Sequence, residues 1–330
     1  MIESLDEILT RTILSSIPKN VKPLRYLMET LDIGRESVYR RLKGVIPFTF
    51  DEIIKLSIKL HFSLDEIVEK NTGNSEYTSD YHSKNHYTPE QQFYTTHLNY
   101  YKSLQTVINS EQVDILLSLN RLFSFFVVNF DMLFKFYYYV WLNQYSGNLS
   151  NCRFSEIQLP SQVAAIQQQI KEKASSIKNI TFIFDRYILL KLIREIQYYY
   201  SRQLITDDEL QGIKNDITAF LDYIEKCIQV EGSGDAGSTH QFYLSLLSIE
   251  MNSVYGILDG NVVSQCWMYA NTPQNIGHTD LIASHKNWIH SLKRSSILIS
   301  HSNEIAQASF LNQQRKNIDS ITNDLFLYYG

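Results

Sequence analysis

The chain has 330 residues, 44% of them apolar and 13% aromatic, with 22 Tyr and 17 Phe. That length suits two domains, each with enough apolar residues for its own core. A formal charge of −5 excludes a uniformly basic nucleic-acid coat, but it leaves room for a small module whose positive charge is local.

The opening MIESLDEILT is acidic and amphipathic, which is not the pattern of a secretion signal. A helix is predicted over 4–16. From Leu24 to Ile67 the sequence LRYLMETLDIGRESVYRRLKGVIPFTFDEIIKLSIKLHFSLDEI predicts four more short helices. The first covers 24–31 and ends in a tight turn at Asp32-Ile33-Gly34. The second covers 35–43, with Gly44 as its C-terminal cap. Thr49 caps a helix over 50–60, and Ser63 caps one over 64–69. Together these make a five-helix domain over residues 1–70.

This segment resembles the lambda-repressor-like (Cro/C1, or XRE) helix-turn-helix family. Leu27, Leu31 and Ile33 match the apolar positions of the first motif helix and the turn. Ser37-Val38 matches the polar–apolar pair inside the recognition helix, and Gly44 matches the glycine that ends it. Pro47, Phe50, Ile53, Leu56, Leu60 and Ser63-Leu64-Asp65-Glu66-Ile67 match the closing pattern. The resemblance implies a DNA-binding domain and covers about a fifth of the chain. Three positions depart from the family. Met28 stands where a small Ala is usual, which sets the motif helices slightly further apart. Asp32 stands where Gly is common, and Asp tolerates the positive φ of the turn. Arg41-Leu42 replaces a bulky apolar–Glu pair, so the second core contact of the recognition helix moves to Leu42.

At about 100° per residue, Val38 and Leu42 lie within about 40° of each other and define the buried face. Glu36, Arg40 and Lys43 then point almost opposite, with Tyr39 and Arg41 on the flanks. Arg35, Glu36 and Ser37, at the N-terminal end, are expected nearest the base edges of a major groove. Arg pairs bidentately with guanine, and Glu accepts from cytosine. Lys22 and Arg25, around the start of the first motif helix, suit phosphate contact. The expected DNA-binding set is therefore Lys22, Arg25, Arg35, Glu36, Ser37, Tyr39, Arg40 and Lys43. Residues 1–70 carry equal acidic and basic counts, yet 19–43 hold seven basic and three acidic residues, so this face is positive. Glu36 and Arg40 also form an ordinary i,i+4 pair, worth only a few tenths of a kcal/mol. The charges alone would say little without the turn, the cap and the closing helices.

Residues 71–90 are polar, lack apolar periodicity and read as a linker. Thr88-Pro89-Glu90-Gln91 is a capping box that opens the second region with a helix carrying Phe93, Leu98, Tyr101, Leu104 and Ile108. Val113–Leu119 reads equally as strand or helix. The apolar run Leu122–Leu142 is long enough for a bilayer. Asp131 and Lys135 near its middle would each cost about 2.5–3.5 kcal/mol there, so a buried core segment is the better reading. Helices are predicted over 131–144, 161–176, 186–202 and, from the capping box Thr206–Glu209, to about 230. After the loop 231–238, QFYLSLLSIEM, SVYGIL and VVSQCWMY suggest two or three antiparallel strands, with Asp259-Gly260-Asn261 as a hairpin turn. The end, 279–325, reads as helix with Leu281, Trp288, Leu292, Ile305, Phe310 and Ile318 facing inward.

The expected fold class is thus mainly α: the helix-turn-helix domain, then a larger, mostly helical domain over 91–330 with a small antiparallel sheet. Cys152, Cys227 and Cys266 are unpaired in spacing and fit a reducing compartment. His82, His86 and His97 straddle the linker without a carboxylate cluster, and His278, His285, His290 and His301 read as surface residues. No phosphate-cradling loop, nucleophile elbow or zinc-protease pair is present, so no catalytic residue, metal or cofactor is expected. Tyr137–Tyr139 and Tyr198–Tyr200 suit either an aromatic pocket or, better, core packing plus an interface, because consecutive helical residues face different directions. The expected protein is a cytoplasmic, non-membrane, sequence-specific transcription regulator that binds double-stranded DNA as a homodimer. Its second region would dimerise and sense an unknown small molecule or protein. The alternative is a phage-like repressor, antitoxin or defence-type module whose second region binds a protein partner.

Overall fold

The computed structural model describes residues 4–18, 20–62, 64, 67, 88–145, 152–174, 176–177, 179–229, 240–268, 272–300 and 302–322. The chain forms two compact units, Met1–Thr78 and Ser79–Gly330. Of the expected linker, 71–87 lie outside the described residues.

The first unit contains α1 (Leu5–Ser16), α2 (Pro23–Leu31), α3 (Arg35–Leu42) and α4 (Phe50–Leu60). Capping boxes start α1 (Ser4 with Glu7) and α4 (Thr49 with Glu52), each satisfying two backbone N–H groups reciprocally. Ile13, Leu27, Val38 and Leu56 are fully buried at the centre of one core. Of the expected fifth helix only Leu64 and Ile67 are described, and both pack on that core.

The second unit corrects the expected fold class. It is not mainly helical with a small hairpin but is built on a seven-stranded mixed sheet. Its elements are α5 (Pro89–Asn109), β1 (Val113–Leu119), α6 (Asp131–Tyr145), α7 (Ser161–Ala174), β2 (Ile180–Phe184), α8 (Leu190–Ser201), α9 (Asp207–Gln229), β3 (Gln241–Ser245), β4 (Ser253–Leu258), β5 (Asn261–Met268), β6 (Thr272–Asn275), α10 (Thr279–Arg294), β7 (Ser296–Leu298) and α11 (Glu304–Asp319). The strand order is β6-β5-β4-β1-β2-β3-β7. Strands β1, β2 and β3 run parallel to one another, and the other pairings, β4–β1 at the centre included, are antiparallel. Thus β3, expected in an antiparallel set, pairs with β2 in parallel. Parallel strands covered on both faces read as continuous apolar runs with no alternation. That hid β1 (VDILLSL) and β2 (ITFIF). β7 has only three residues, and β6 (TPQN) is polar and carries a proline.

One sheet face bears the main core, shared with α5, α6, α7, α8, α9 and α11. The other face, through Leu116, Ile183 and Tyr255, meets α10 at Ile289 and Leu292. β4 runs so close to β1 that a Cβ on Gly256 would lie 2.8 Å from the Asp114 carbonyl oxygen. The β4–β5 turn uses Asp259 and Gly260, both at positive φ, as the hairpin signal requires. The Asp259 carboxylate also accepts from the Glu111 and Gln112 N–H groups, which fastens the turn to the start of β1.

The terminal stretch is corrected too. β7 separates α10 from α11, and 323–325 lie outside the described residues. Phe310, Ile318 and Leu292 are buried as expected, but Leu281, Trp288 and Ile305 are 59%, 41% and 84% exposed. α10 packs through Ile282, Ile289 and Leu292, which leaves Leu281 and Trp288 off the contact. The run 122–142 is not one helix. Ser124–Val127 is a short 3-10 turn, and α6 starts only at Asp131. Among the described residues no helix is long and apolar enough to cross a membrane.

The tyrosine triplets split in three directions. Tyr138 meets Phe93 edge-on at 5.0 Å, the Tyr139 hydroxyl donates to the Cys152 carbonyl, and the Tyr137 hydroxyl donates to the Leu122 carbonyl. In the second triplet Tyr199 packs against Tyr139, Tyr200 donates to Asp207, and Tyr198 is 46% exposed. Packing therefore accounts for most of this aromatic excess.

Candidate nucleic-acid interface

Pro23 opens α2 at a position where its missing N–H costs nothing. The helix ends at Asp32, which adopts the left-handed conformation (φ 53°), and Gly34 then starts α3. α3 closes with Lys43 as its C-cap and Gly44 at φ 69°. Any L side chain at Gly44 would be strained there. Unlike α1 and α4, neither α2 nor α3 has a side chain capping its N-terminus. Their first N–H groups thus lack the intrahelical or side-chain partners that would otherwise occupy them.

Within α3, Val38 is fully buried and Leu42 packs on the core of the first unit at partial burial. Arg35, Glu36, Arg40 and Lys43 are exposed, Ser37 is half-buried, and Tyr39 is 53% exposed. The Lys43 ammonium sits 5.9 Å from the centre of the Tyr39 ring. Lys22 is the N-cap of α2 and is exposed. Arg25 is exposed and forms an i,i+4 ion pair with Glu29 at 2.8 Å, which solvent screens heavily.

Arg41 has a role the sequence reading missed. Its guanidinium donates to the Glu52 carboxylate at 2.8 Å, and both side chains are nearly buried, at 13% and 12% exposure. A second donor of Arg41 reaches the Ser37 carbonyl. Burial works to raise the Glu52 pKa, but hydrogen bonds from Arg41 and the Thr49 N–H, with the Arg41 charge, hold it below the usual carboxylate range. Arg41 therefore fastens α3 to α4 and is withdrawn from the exposed face. The signal was present: a basic residue beside the core stripe, and a capping Glu facing it. One apolar residue also departs from expectation: Phe50, matched to the family's apolar pattern, is 71% exposed.

In the second unit, His285 is not a free surface histidine. Its Nδ1 is 2.8 Å from the Ser264 hydroxyl, and its Nε2 is 2.9 Å from the Ser253 hydroxyl. Ser253 continues to Ser118 at 2.8 Å. Burial lowers the His285 pKa. The three serines are at most 6% exposed, so the chain is closed to a substrate and instead clips α10 to the sheet. His278 caps α10 through Asp280, and His82, His86 and His301 lie outside the described residues. No protein-family model, no curated protein and no solved structure matches this chain.

Proposed function

We propose that the chain is a sequence-specific DNA-binding transcription regulator in which the first unit reads the operator and the second unit dimerises and senses a signal. The observation that carries this reading is the division of α3. Val38 is buried to 0% exposure while Glu36, Arg40 and Lys43 are exposed on the far side. A short helix held by one apolar edge, with a basic outer face and an uncapped start, suits entry into a major groove. Arg35, Glu36, Ser37 and Arg40 take the base edges. Lys22, Arg25, Tyr39 and Lys43 take the backbone, together with the unoccupied N–H groups of α2 and α3.

A single module this small buries limited DNA surface and binds weakly at physiological salt. Two copies reach adequate affinity when their recognition helices sit about 34 Å apart, so the regulator acts as a homodimer. The outward side of α10, with Leu281 and Trp288, is our first choice for the contact. A cytoplasmic location goes with this role.

Selection of bound fragments from genomic DNA tests the proposal. A recovered motif with two half-sites spaced by about one helical turn supports it. Recovery of no motif, with binding that varies only with salt, refutes sequence-specific regulation.

A further inference from the structure

Helix α8 and the turn that leads into it present an outer face of one charge sign. Between residues 185 and 203 the sequence holds four basic residues, Arg186, Lys191, Arg194 and Arg202, and two acids, Asp185 and Glu195. All four cations are exposed. Both acids turn inward. The Asp185 carboxylate, 8% exposed, accepts from the N–H groups of Tyr187 at 2.8 Å and Ile249 at 2.9 Å. Glu195 lines a cavity of about 30 Å³ beside His97, among α5, α6, α8 and the residues that follow β1. Solvated faces ordinarily intersperse both signs, and this chain is acidic overall, at −5. A face with four cations and no outward acid therefore points to an anionic partner.

The rest of the face is aromatic. Tyr187 and Tyr198 are 49% and 46% exposed. At about 100° per residue, Lys191, Arg194, Tyr198 and Arg202 fall within about 80° of one another, and at about 1.5 Å per residue they cover about 16 Å. Tyr198 meets Tyr199 edge-on at 5.0 Å, and the Arg202 guanidinium lies 5.3 Å from its ring centre. These contacts hold the ring in place on the surface. The face also begins where β2 ends. Arg186 and Tyr187 follow the carboxyl end of that parallel strand, and Arg186 donates to the Leu246 carbonyl just beyond β3 at 3.3 Å. The carboxyl ends of parallel strands are where open α/β sheets bind ligands.

We propose that this face of α8 binds single-stranded nucleic acid, with bases stacked on Tyr187 and Tyr198 and phosphates set against Lys191 and Arg194, in the positive field of Arg186 and Arg202. Stacking needs unpaired bases with open faces, which a duplex does not offer. An anionic membrane is the poorer fit, because each ring has a cation within one turn and neither can reach the acyl boundary without carrying charge with it. The inference concerns the second unit alone and stands or falls independently of operator recognition by the first. The probes are a labelled oligothymidylate of about 16 nucleotides and the matching oligouridylate. Each is titrated with the full chain at several salt concentrations and followed by fluorescence anisotropy. Saturable binding of either strand supports the proposal, and the tighter of the two names the source. Replacing both cations, Lys191→Gln with Arg194→Gln, should reduce the slope of log K against log salt by about 1.4, at about 0.7 per phosphate on a single strand. Tyr198→Ala should weaken binding at least about fivefold, while Tyr198→Phe, which keeps the ring, should bind like the native chain. An unchanged urea midpoint of tryptophan emission checks that the second unit of each variant is folded. The proposal is overturned if neither strand binds, if the double variant keeps the native slope, or if Tyr198→Ala binds as tightly as the native chain. It is equally overturned if inorganic polyphosphate competes as well as oligothymidylate, since charge alone would then account for binding. Tighter binding to phosphatidylserine vesicles would replace it with a membrane surface, into which the exposed Leu246 and Leu247 beside the face would insert.

Discussion

His97 makes the stability of the second unit fall in mild acid, by an amount the structure sets. Its folded pKa is about 4, against 6.5 for an unperturbed imidazole. The unfolded chain therefore takes up the proton first as pH drops. The sign follows: the contribution is fully present above about pH 6.5 and is lost progressively toward pH 4. At about 1.36 kcal/mol per pH unit, the 2.5-unit gap comes to about 3 kcal/mol. That is a large share of the roughly 5–15 kcal/mol that holds a typical domain folded. Urea unfolding followed by tryptophan emission isolates the effect, because Trp141, Trp267 and Trp288 all belong to the second unit. Trp141 is also close to the site, its ring 5.6 Å from Phe93. Glu195, with its pKa raised, titrates nearby in the opposite sense. The informative quantity is therefore the difference between the native chain and His97→Leu, which keeps Glu195 and removes the imidazole. Between about pH 7 and pH 4.5 the native chain should lose about 2–3 kcal/mol more than the variant. Parallel loss in both proteins would refute the assigned burial of His97.

In the first unit, Arg40→Ala should weaken binding to a selected operator by about 1–3 kcal/mol with little change on non-specific DNA; equal losses on both would reduce Arg40 to a phosphate contact, and no loss would discard the assigned face of α3. Val38→Asp puts an unpaired charge into a fully buried position and should unfold the first unit and abolish DNA binding, while the urea midpoint of tryptophan emission stays that of the native second unit; retained DNA binding would contradict the core. Arg41→Met leaves the Glu52 carboxylate nearly buried without its partner and should cost about 2–3 kcal/mol, read by proteolytic cleavage within 20–60. Because the folded Glu52 pKa lies below 4.5, the native pair contributes above about pH 4.5 and is lost as pH falls through the folded value; Arg41→Met should flatten that part of the acid profile, and an unchanged profile would reject the pair.

The segment from α2 to α4 was legible because each of its signals is local. Asp32 in the left-handed region, Gly44 closing α3, and Thr49 capping α4 through Glu52 all lie within a few residues of what they control. The same holds for Thr88 with Gln91 at α5, and for Asp259-Gly260 in the β4–β5 turn. The sheet was not legible because its order depends on contacts far apart in sequence. β1 pairs with β2 through Ile115 and Ile180, and with β4 through Ser118 and Ser253. Nothing near Ile180 announces that partner, and a five-residue run with four apolar members fits the start of a helix as well as a buried strand. The cavity at His97 was hidden for the same reason, since it gathers residues from α5, α6, α8 and the end of β1. A histidine on the apolar stripe of a helix reads only as a misplaced polar residue until the groups opposite it are known.

The core residues misjudged in the sequence bear on the proposed dimer. Leu281, Trp288 and Ile305 were expected inside because apolar periodicity marks a face without saying what it meets. α10 spends only Ile282, Ile289 and Leu292 on the sheet, so Leu281 and Trp288, seven residues and two turns apart, share a side left uncovered within this unit. The first unit also keeps apolar surface uncovered. Phe50 and Ile58 are 71% and 68% exposed two turns apart on α4, with Ile54 half-buried between them. The choice between the two surfaces then turns on what DNA recognition demands. α4 is joined to α3 through the nearly buried Arg41–Glu52 pair, so a contact through α4 would fix the two recognition helices rigidly with respect to each other. A contact through α10 would join the second units directly. Loss of the dimer with Ile58→Asp favours α4, whereas loss with Trp288→Asp favours α10. Sedimentation of the two variants thus decides which face joins the two copies.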